Sequence, residues 1–223
     1  MRTRCPSPAR PRAVSNPIPR LPPVTRAMRS MARVYGVAEP PRRPRRRQNE
    51  MKTMRAAVAR EAGAPDSLTL DRLPVPELPP QRVLIAVRAA SINPVDYKMM
   101  SGAMGTPFPL VPGRDLAGIV TEVAEGVEEF AEGDLVFGAA AWGPAGSFAE
   151  YTVAEPGTIA KVPDGLAIEQ AAALPTIVNT AHTALFDVGK IGHGTRVLIA
   201  GASGGVGGIA VQLAKQAGAH VVG

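Results

Sequence analysis

The 223 residues suffice for one or two domains, but their charge is divided unevenly. Residues 1–50 carry 13 Arg, 2 Glu and 10 of the 23 Pro, while the rest holds 12 Lys and Arg against 17 Asp and Glu, so the net +6 belongs to the head alone. The single cysteine, Cys5, leaves the remainder without disulfides or thiolate metal sites, and no apolar run is long enough for a secretory core or a membrane span.

The head has no apolar period and contains the block Arg42-Arg-Pro-Arg-Arg-Arg47, so residues 1–53 are expected to be a disordered Arg/Pro-rich extension. Three origins stay open for it. It is an upstream translation artefact with the true start at Met51 or Met54, an Arg-rich organelle transit peptide, or a tether for nucleic acid or acidic membranes. Only Tyr35 interleaves an aromatic ring with the arginines, so stacking on bases finds no support and neither nucleic acid nor membrane is an expected partner. The expected compartment is the cytoplasm.

From Met54 the pattern changes to short strands. Arg55–Arg60 and Leu68–Leu73 flank a Gly-Ala-Pro-Asp turn, and Pro74–Pro80 is a link. Val83–Ala90 alternates as a half-buried strand does. Asn93–Ser101 suits one or two helical turns stopped by Gly102. Strands are expected again at Leu116–Val123, Leu135–Phe137, Phe148–Val153 and Ile159–Val162, with turns at Gly126 and residues 132–134. Many short strands at this spacing predict a small, partly open barrel over 54–165. Ile168–Leu174 and Asn179–Val188 read as helical, broken near Pro175. β first and then alternating α and β indicates two domains, the second from residue 166 to 223.

The richest local signal closes the chain. Val197–Ala200 is a short apolar run of the kind a buried parallel strand needs. Gly201, Gly204 and Gly207 follow three apart, and Val206, Ile209, Ala210, Leu213, Ala214 and Ala217 keep helical spacing up to the stop at Gly218. His220, Val221 and Val222 begin a second strand. Strand, glycine turn and helix form the opening of a dinucleotide-binding unit: the turn lets the backbone approach a pyrophosphate, and the helix start offers unpaired N–H groups and a positive dipole end. Gly201, Ala202, Ser203, Gly204, Gly205, Val206 and Gly207 are the candidate cofactor contacts. A tight turn serving only helix–sheet packing remains the plainer reading. The acidic residue that chooses between NAD and its phosphate lies about 20 residues past such a turn, beyond Gly223. The chain therefore reads as the front part of a longer enzyme, with little turnover expected of it alone.

Further segments carry a resemblance. Ser91-Ile-Asn-Pro-Val-Asp-Tyr-Lys98, Val111-Pro-Gly-Arg-Asp-Leu-Ala-Gly-Ile-Val120, Gly133-Asp-Leu-Val-Phe-Gly138, Gly146-Ser-Phe-Ala-Glu-Tyr151, Ala171-Ala-Ala-Leu-Pro-Thr176 and the glycine turn occur in this order over residues 54–223. Together they resemble the zinc-independent medium-chain dehydrogenase/reductases of the quinone oxidoreductase, or zeta-crystallin-like, type. The resemblance implies a GroES-like partly open β-barrel as substrate domain, followed by an incomplete Rossmann (doubly wound parallel) cofactor domain. It further implies NADPH as cofactor, with NADH open, a quinone or α,β-unsaturated carbonyl as acceptor, and a homodimer in the full-length form. Zinc alcohol dehydrogenases of the same superfamily need a Cys before the first helix and a Gly-His-Glu segment. Here Ser91-Ile-Asn93 and Gly113-Arg-Asp115 stand instead, and no His lies between residues 54 and 181, so no catalytic metal site is expected.

Without a Lewis acid, alcohol oxidation is difficult, whereas hydride transfer to an electron-poor acceptor needs only hydrogen-bond donors for the developing oxyanion. The resemblance places Asn93, Tyr97 and Lys98 in the active-site loop and Thr180 near the nicotinamide. Asn93 would donate to a cofactor or substrate oxygen, Lys98 would hold the ribose or polarise a carbonyl, and Tyr97 would supply a proton. Beside these stand plainer roles: a turn at Asn93-Pro94, a cap at Asp96, a solvated Lys98, a packed Thr180. The Asp-Tyr-Lys form is closer to alkenal or enone reductases than to zeta-crystallin. Arg114 and Asp115 are expected to pair with each other, Trp142 to wall the acceptor pocket or cover a loop, and His182 and His193 to lie on the surface or in loops. The competing function is a non-catalytic truncated product or a bare GroES-like binding module.

Overall fold

The computed structural model describes residues 52–223. The expected disordered head, with Cys5 and its arginine block, lies outside the described residues.

The barrel is built from antiparallel strands whose inward positions the sequence alternation marks. β1 (Thr53–Val58) buries Met54, Ala56 and Val58 and pairs with β2 (Thr69–Pro74), from Thr53 opposite Pro74 to Val58 opposite Thr69. A five-stranded sheet holds β3 (Val83–Ala89), β4 (Asp115–Val123), β5 (Leu135–Ala139), β6 (Tyr151–Ala154) and β7 (Ile159–Lys161) in the order β6-β3-β4-β5-β7. β4 is the centre of this sheet. It pairs with β3 along one side and with β5 along the other, where Asp115 lies opposite Ala139. Two register shifts between β3 and β4 curl the sheet. The β1–β2 ribbon joins it through single bonds, Ala57 N–H to Phe148 O at 2.9 Å and Glu150 N–H to Arg55 O at 3.0 Å, so the barrel stays partly open.

The core inside holds Val83, Ile85, Leu116, Val120, Val136 and Ile159. Gly118 is required there: a Cβ at that position would sit 2.3 Å from the Ala86 carbonyl oxygen across the strand pair. Helix α1 (Pro94–Met100) lies between β3 and β4 in the chain. Helix α2 (Ile168–Ala172) closes one end of the barrel, burying Ala171 and Ala172 against Ala117, Phe137 and Ala160.

Helix α3 (Pro175–His182) begins a second core. The apolar spacing predicts its start at Asn179. It starts instead at Pro175, because a proline lacking its N–H fits the first helical turn at no cost, and it runs on as a π-helical segment through Thr183–Val188. β8 (Arg196–Leu198), α4 (Gly205–Gln216) and β9 (His220–Val222) form a parallel β-α-β unit, with Val197 opposite Val221. Val178, Ala181, Ile199, Ile209, Ala210 and Ala214 pack between α3, α4 and these strands.

Two further expectations are corrected. The strand at 148–153 is ladder-paired only from Tyr151, since Phe148 and Ala149 serve the ribbon instead. The strand at 197–200 spans Arg196–Leu198 and is not buried on both faces: α3 and α4 cover one face only, and Leu198 is 74% exposed.

Leu116→Ala removes a fully buried side chain from the barrel core and should cost about 3 kcal/mol of unfolding free energy. Leu70→Ala on exposed β2 should stay within about 0.5 kcal/mol. Urea titration of the two variants checks the difference.

Candidate cofactor and acceptor site

The glycine turn has the geometry its sequence foretells. Gly201 sits at φ +73°, a conformation that side chains rarely tolerate. Its carbonyl accepts the Gly204 N–H at 2.9 Å, and Gly204 leads into α4. A Cβ on Gly207 would lie 2.1 Å from the Gly201 carbonyl oxygen, so helix and turn touch backbone to backbone. No side chain caps α4, and the N–H groups of Gly205, Val206 and Gly207 have no partner among the described residues. Ser203, Gly204, Gly205 and Val206 are exposed around this helix start, while Ala202 turns half inward. A pyrophosphate fits that arrangement: it needs close backbone approach and free N–H donors.

The loop before α1 is rigid for a different reason. Asn93 is in extended conformation, with Pro94 at the first helical position. The Asp96 carboxylate accepts the Asn93 N–H at 2.7 Å and the Arg114 N–H at 3.1 Å, which ties α1 to the start of β4. Asn93 Nδ2 donates to Ser91 Oγ at 3.1 Å and to Asp115 Oδ2 at 2.9 Å. An amide has two such hydrogens, and both are used, so Asn93 has none left to offer a substrate oxygen. Tyr97 and Lys98 are exposed, Tyr97 at 51%.

Asp115 is the junction. Its buried carboxylate accepts Ser91 Oγ–H at 2.7 Å, the Asn93 amide, the Thr176 N–H at 3.1 and 3.2 Å to its two oxygens, and Thr176 Oγ1–H at 2.6 Å. Thr176 is in the first turn of α3. The next residue, Ile177, places its Cγ2 3.4 Å from where a Cβ of Gly205 would be. The Asn93 loop, β4, α3 and the first turn of α4 are thus linked contact by contact. Thr180 is exposed on the same α3. Sequence reasoning misses Thr176, because nothing local marks it as the partner of a carboxylate 61 residues away.

Arg114 does not pair with Asp115. Its guanidinium donates to the Ala140 carbonyl and lies over the Trp142 ring, 4.6 Å from the centroid. The Asp115 oxygens are already taken, and the carbonyl just past β5 is within reach. Burial holds the guanidinium below its usual pKa, opposed by the charges of Asp115, Asp96 and Glu155. His182 also departs from expectation. It packs half-buried against Phe186, with ring centroids 4.9 Å apart, since it ends a helix that faces the second core. His193 is an exposed loop residue beside Gly218. Among the described residues no three His, Cys, Asp or Glu side chains come together as a metal cage.

Comparison with known proteins supplies a matching domain and relatives. A profile of the alcohol dehydrogenase GroES-like domain matches residues 79–164. A 2-methylene-furan-3-one reductase of Solanum lycopersicum is 40% identical over 180 residues, which is 76% of this chain and 45% of that protein. A chloroplastic NADPH-dependent alkenal/one oxidoreductase of Arabidopsis thaliana is 40% identical over 182 residues, covering 77% and 46%. The solved quinone oxidoreductase of Coxiella burnetii superposes with a TM-score of 0.70 at 38% identity, over 76% of this chain and 56% of that one. Residues 79–164 form an alcohol dehydrogenase GroES-like domain, and the chain is similar along its matched length to quinone and alkenal/one oxidoreductases of the medium-chain dehydrogenase/reductase family. It spans about half the length of the curated relatives it matches. The GroES-like match covers β3 to β7 of the barrel and ends before β8-α4-β9. No helix among the described residues is long and apolar enough to cross a membrane. Two surface concavities, of about 310 Å³ beside the β1–β2 ribbon and about 440 Å³ over the outer face of β8 and β9, include none of the candidate residues.

The Asp96 carboxyl has a pH consequence. Burial raises it above its ordinary value of 3.8, with the charge of Asp115 adding to the rise, despite the N–H bonds from Asn93 and Arg114. The folded chain therefore binds this proton more tightly than the unfolded chain. That stability is fully present below 3.8 and is lost as pH rises through the raised value. Asp96→Asn lacks this loss. Its unfolding free energy relative to the parent should improve between about pH 4 and about pH 7 in paired urea titrations. A difference that is flat in pH would contradict the raised value.

Proposed function

We propose that the chain is the acceptor-binding barrel and the pyrophosphate-binding unit of a reductase. It uses NADPH, needs no zinc, and acts on quinones or α,β-unsaturated carbonyls in the cytoplasm. The carrying observation is the linkage from Asn93 through Asp115, Thr176 and Ile177 to the uncapped start of α4. It holds an acceptor loop and a phosphate-binding turn in one fixed relation, which hydride transfer requires. The names of the tomato and Arabidopsis relatives support reduction of an activated C=C bond, and that of the Coxiella protein supports a quinone.

A reduced nicotinamide held there would supply the hydride, and a quinone that takes this hydride and one proton becomes the hydroquinone. The chain does the rest. The N–H groups of Gly205, Val206 and Gly207 bind the pyrophosphate, and Thr180, exposed on α3, is available to the nicotinamide. Lys98, exposed on α1, holds the ribose or polarises the carbonyl. The Tyr97 hydroxyl, open to solvent, gives the proton. Zinc independence rests on the donor set. No Cys or His occurs in 91–98 or 111–120, and Asp115 has committed its lone pairs to Ser91, Asn93 and Thr176.

NADPH bound by the full 223-residue chain should show enhanced nicotinamide fluorescence that inorganic pyrophosphate competes away. Gly207→Ala pushes a methyl into the Gly201 carbonyl and should weaken binding at least about tenfold, or about 1.4 kcal/mol. Absence of NADPH binding by a folded chain would overturn the reading. NADPH oxidation with a quinone or enone, in this chain or in a longer protein that contains it, should be unchanged by a metal chelator.

A further inference from the structure

We infer that Arg114 and Trp142 form the acceptor subsite, a cation–aromatic platform that takes an uncharged planar carbonyl compound, a quinone rather than a carboxylate-bearing acceptor. This rests on the proposed reductase function and names the substrate class of that same site.

The placement comes from β-sheet register. Asp115 at the start of β4 lies opposite Ala139 at the end of β5, so Arg114 and the segment Ala140–Trp142 leave the sheet at the same end. Helix α3 packs against β4 and β5, and Thr176 bonds Asp115 at that end. The Arg114 N–H also holds the Asp96 carboxylate of α1. The platform therefore stands where the Tyr97 and Lys98 helix and the Thr180 helix converge.

Its chemistry is legible from its partners. Trp142 has Arg114 on one face and is 57% exposed, which leaves ring surface for a second flat molecule. Among the described residues the Arg114 side chain donates only to Ala140, so guanidinium N–H groups remain for a ligand oxygen. A half-buried donor of this kind stabilises the oxyanion that hydride addition creates. Asp96 and Asp115, both buried beside the guanidinium, offset its charge. These buried carboxyls disfavour an anionic ligand at the guanidinium, so the ground-state acceptor is neutral.

Trp142 is the only tryptophan of the chain, so its fluorescence reports the platform directly. Tetramethyl-1,4-benzoquinone, which has no free ring position for thiol addition, should quench it saturably. The steady-state intensity should fall faster than the lifetime. Arg114→Ala should abolish saturation, and a quinone bearing a sulfonate should bind at least tenfold more weakly than the neutral one. Because Arg114→Ala also removes the Ala140 contact, Trp142→Leu at its exposed position serves as the second variant, with quinone binding read by equilibrium dialysis. It should lose at least fivefold in affinity. Linear quenching with a parallel fall in lifetime, or dialysis unchanged by Trp142→Leu, would overturn the platform. NADPH binding read separately by nicotinamide fluorescence divides the two ideas. Quinone binding without NADPH binding would sink the reductase reading alone, and the reverse would sink the platform alone.

Discussion

Three segments of the chain meet on the carboxylate of Asp115, and among the described residues no cation lies within ion-pairing distance of it. A charge removed from water costs several kcal/mol unless donors replace its hydration. Here the replacements are Ser91, Asn93 and both donors of Thr176, at 2.6 to 3.2 Å. Withdrawing any of them leaves a buried, under-satisfied anion, so the loop before α1, the start of β4 and the first turn of α3 are held together by one electrostatic requirement. Ser147 Oγ–H reinforces it by bonding the Asp115 carbonyl at 2.6 Å. The relation between barrel and β-α-β unit is thus set by bonds to one residue as well as by the apolar contact of Leu174 with both cores.

What the residues disclose by themselves is local. The glycine turn is legible because its requirement is backbone geometry, a positive φ at Gly201 and no room at Gly207, which only glycine meets. The strands of the barrel are legible because alternation and turn residues are local signals too, and their ends shift only where pairing partners decide, as at Phe148 and Ala149. The partners of polar groups are not legible. Arg114 beside Asp115 invites an ion pair, yet the carboxylate is satisfied by Thr176, 61 residues away, and the guanidinium turns to Ala140 and Trp142. Asn93 stands out in its motif, but folding makes it part of the scaffold rather than a donor to a ligand. Residue type and position in a motif do not say which of two hydrogen-bonding partners folding brings closer.

A division of labour follows among the polar groups of the candidate site. Asn93, Asp96, Asp115 and Ser147 are buried and bonded within the protein. Tyr97, Lys98, Thr180 and Ser203 are exposed. The first set fixes positions. The second can meet a ligand without first giving up an internal bond. A buried carboxylate filled with donors is a poor general acid or base, because each proton it takes must displace a hydrogen bond already made. Asp96 illustrates the limit. Its raised pKa comes from burial rather than from a reacting partner, and its oxygens hold the N–H groups of Asn93 and Arg114. Proton delivery in the proposed reduction therefore belongs to Tyr97 or to solvent.

Filled and unfilled hydrogen-bonding capacity also decides which of two chemistries one position on this scaffold can serve. A metal-dependent site at the Gly113–Asp115 turn needs side chains whose lone pairs are free to coordinate. Here Gly113, at φ +102°, has Phe148 and Ser147 packed so closely that a Cβ would lie 2.5 Å from each, so the turn has no room for a side chain there. Arg114 brings donors only, and Asp115 brings acceptors already filled. Such a turn cannot donate an electron pair to a metal, but it can present hydrogen-bond donors to an oxygen that becomes negative. The two electronic roles are complementary. A Lewis acid draws charge from oxygen through a coordinate bond, while an arginine in a low-dielectric setting does so through N–H groups and a fixed positive charge. The proposed preference for acceptors already poised to take a hydride follows from the weaker of these two forms of stabilisation, because only an electron-poor quinone or enone brings its own share of the driving force.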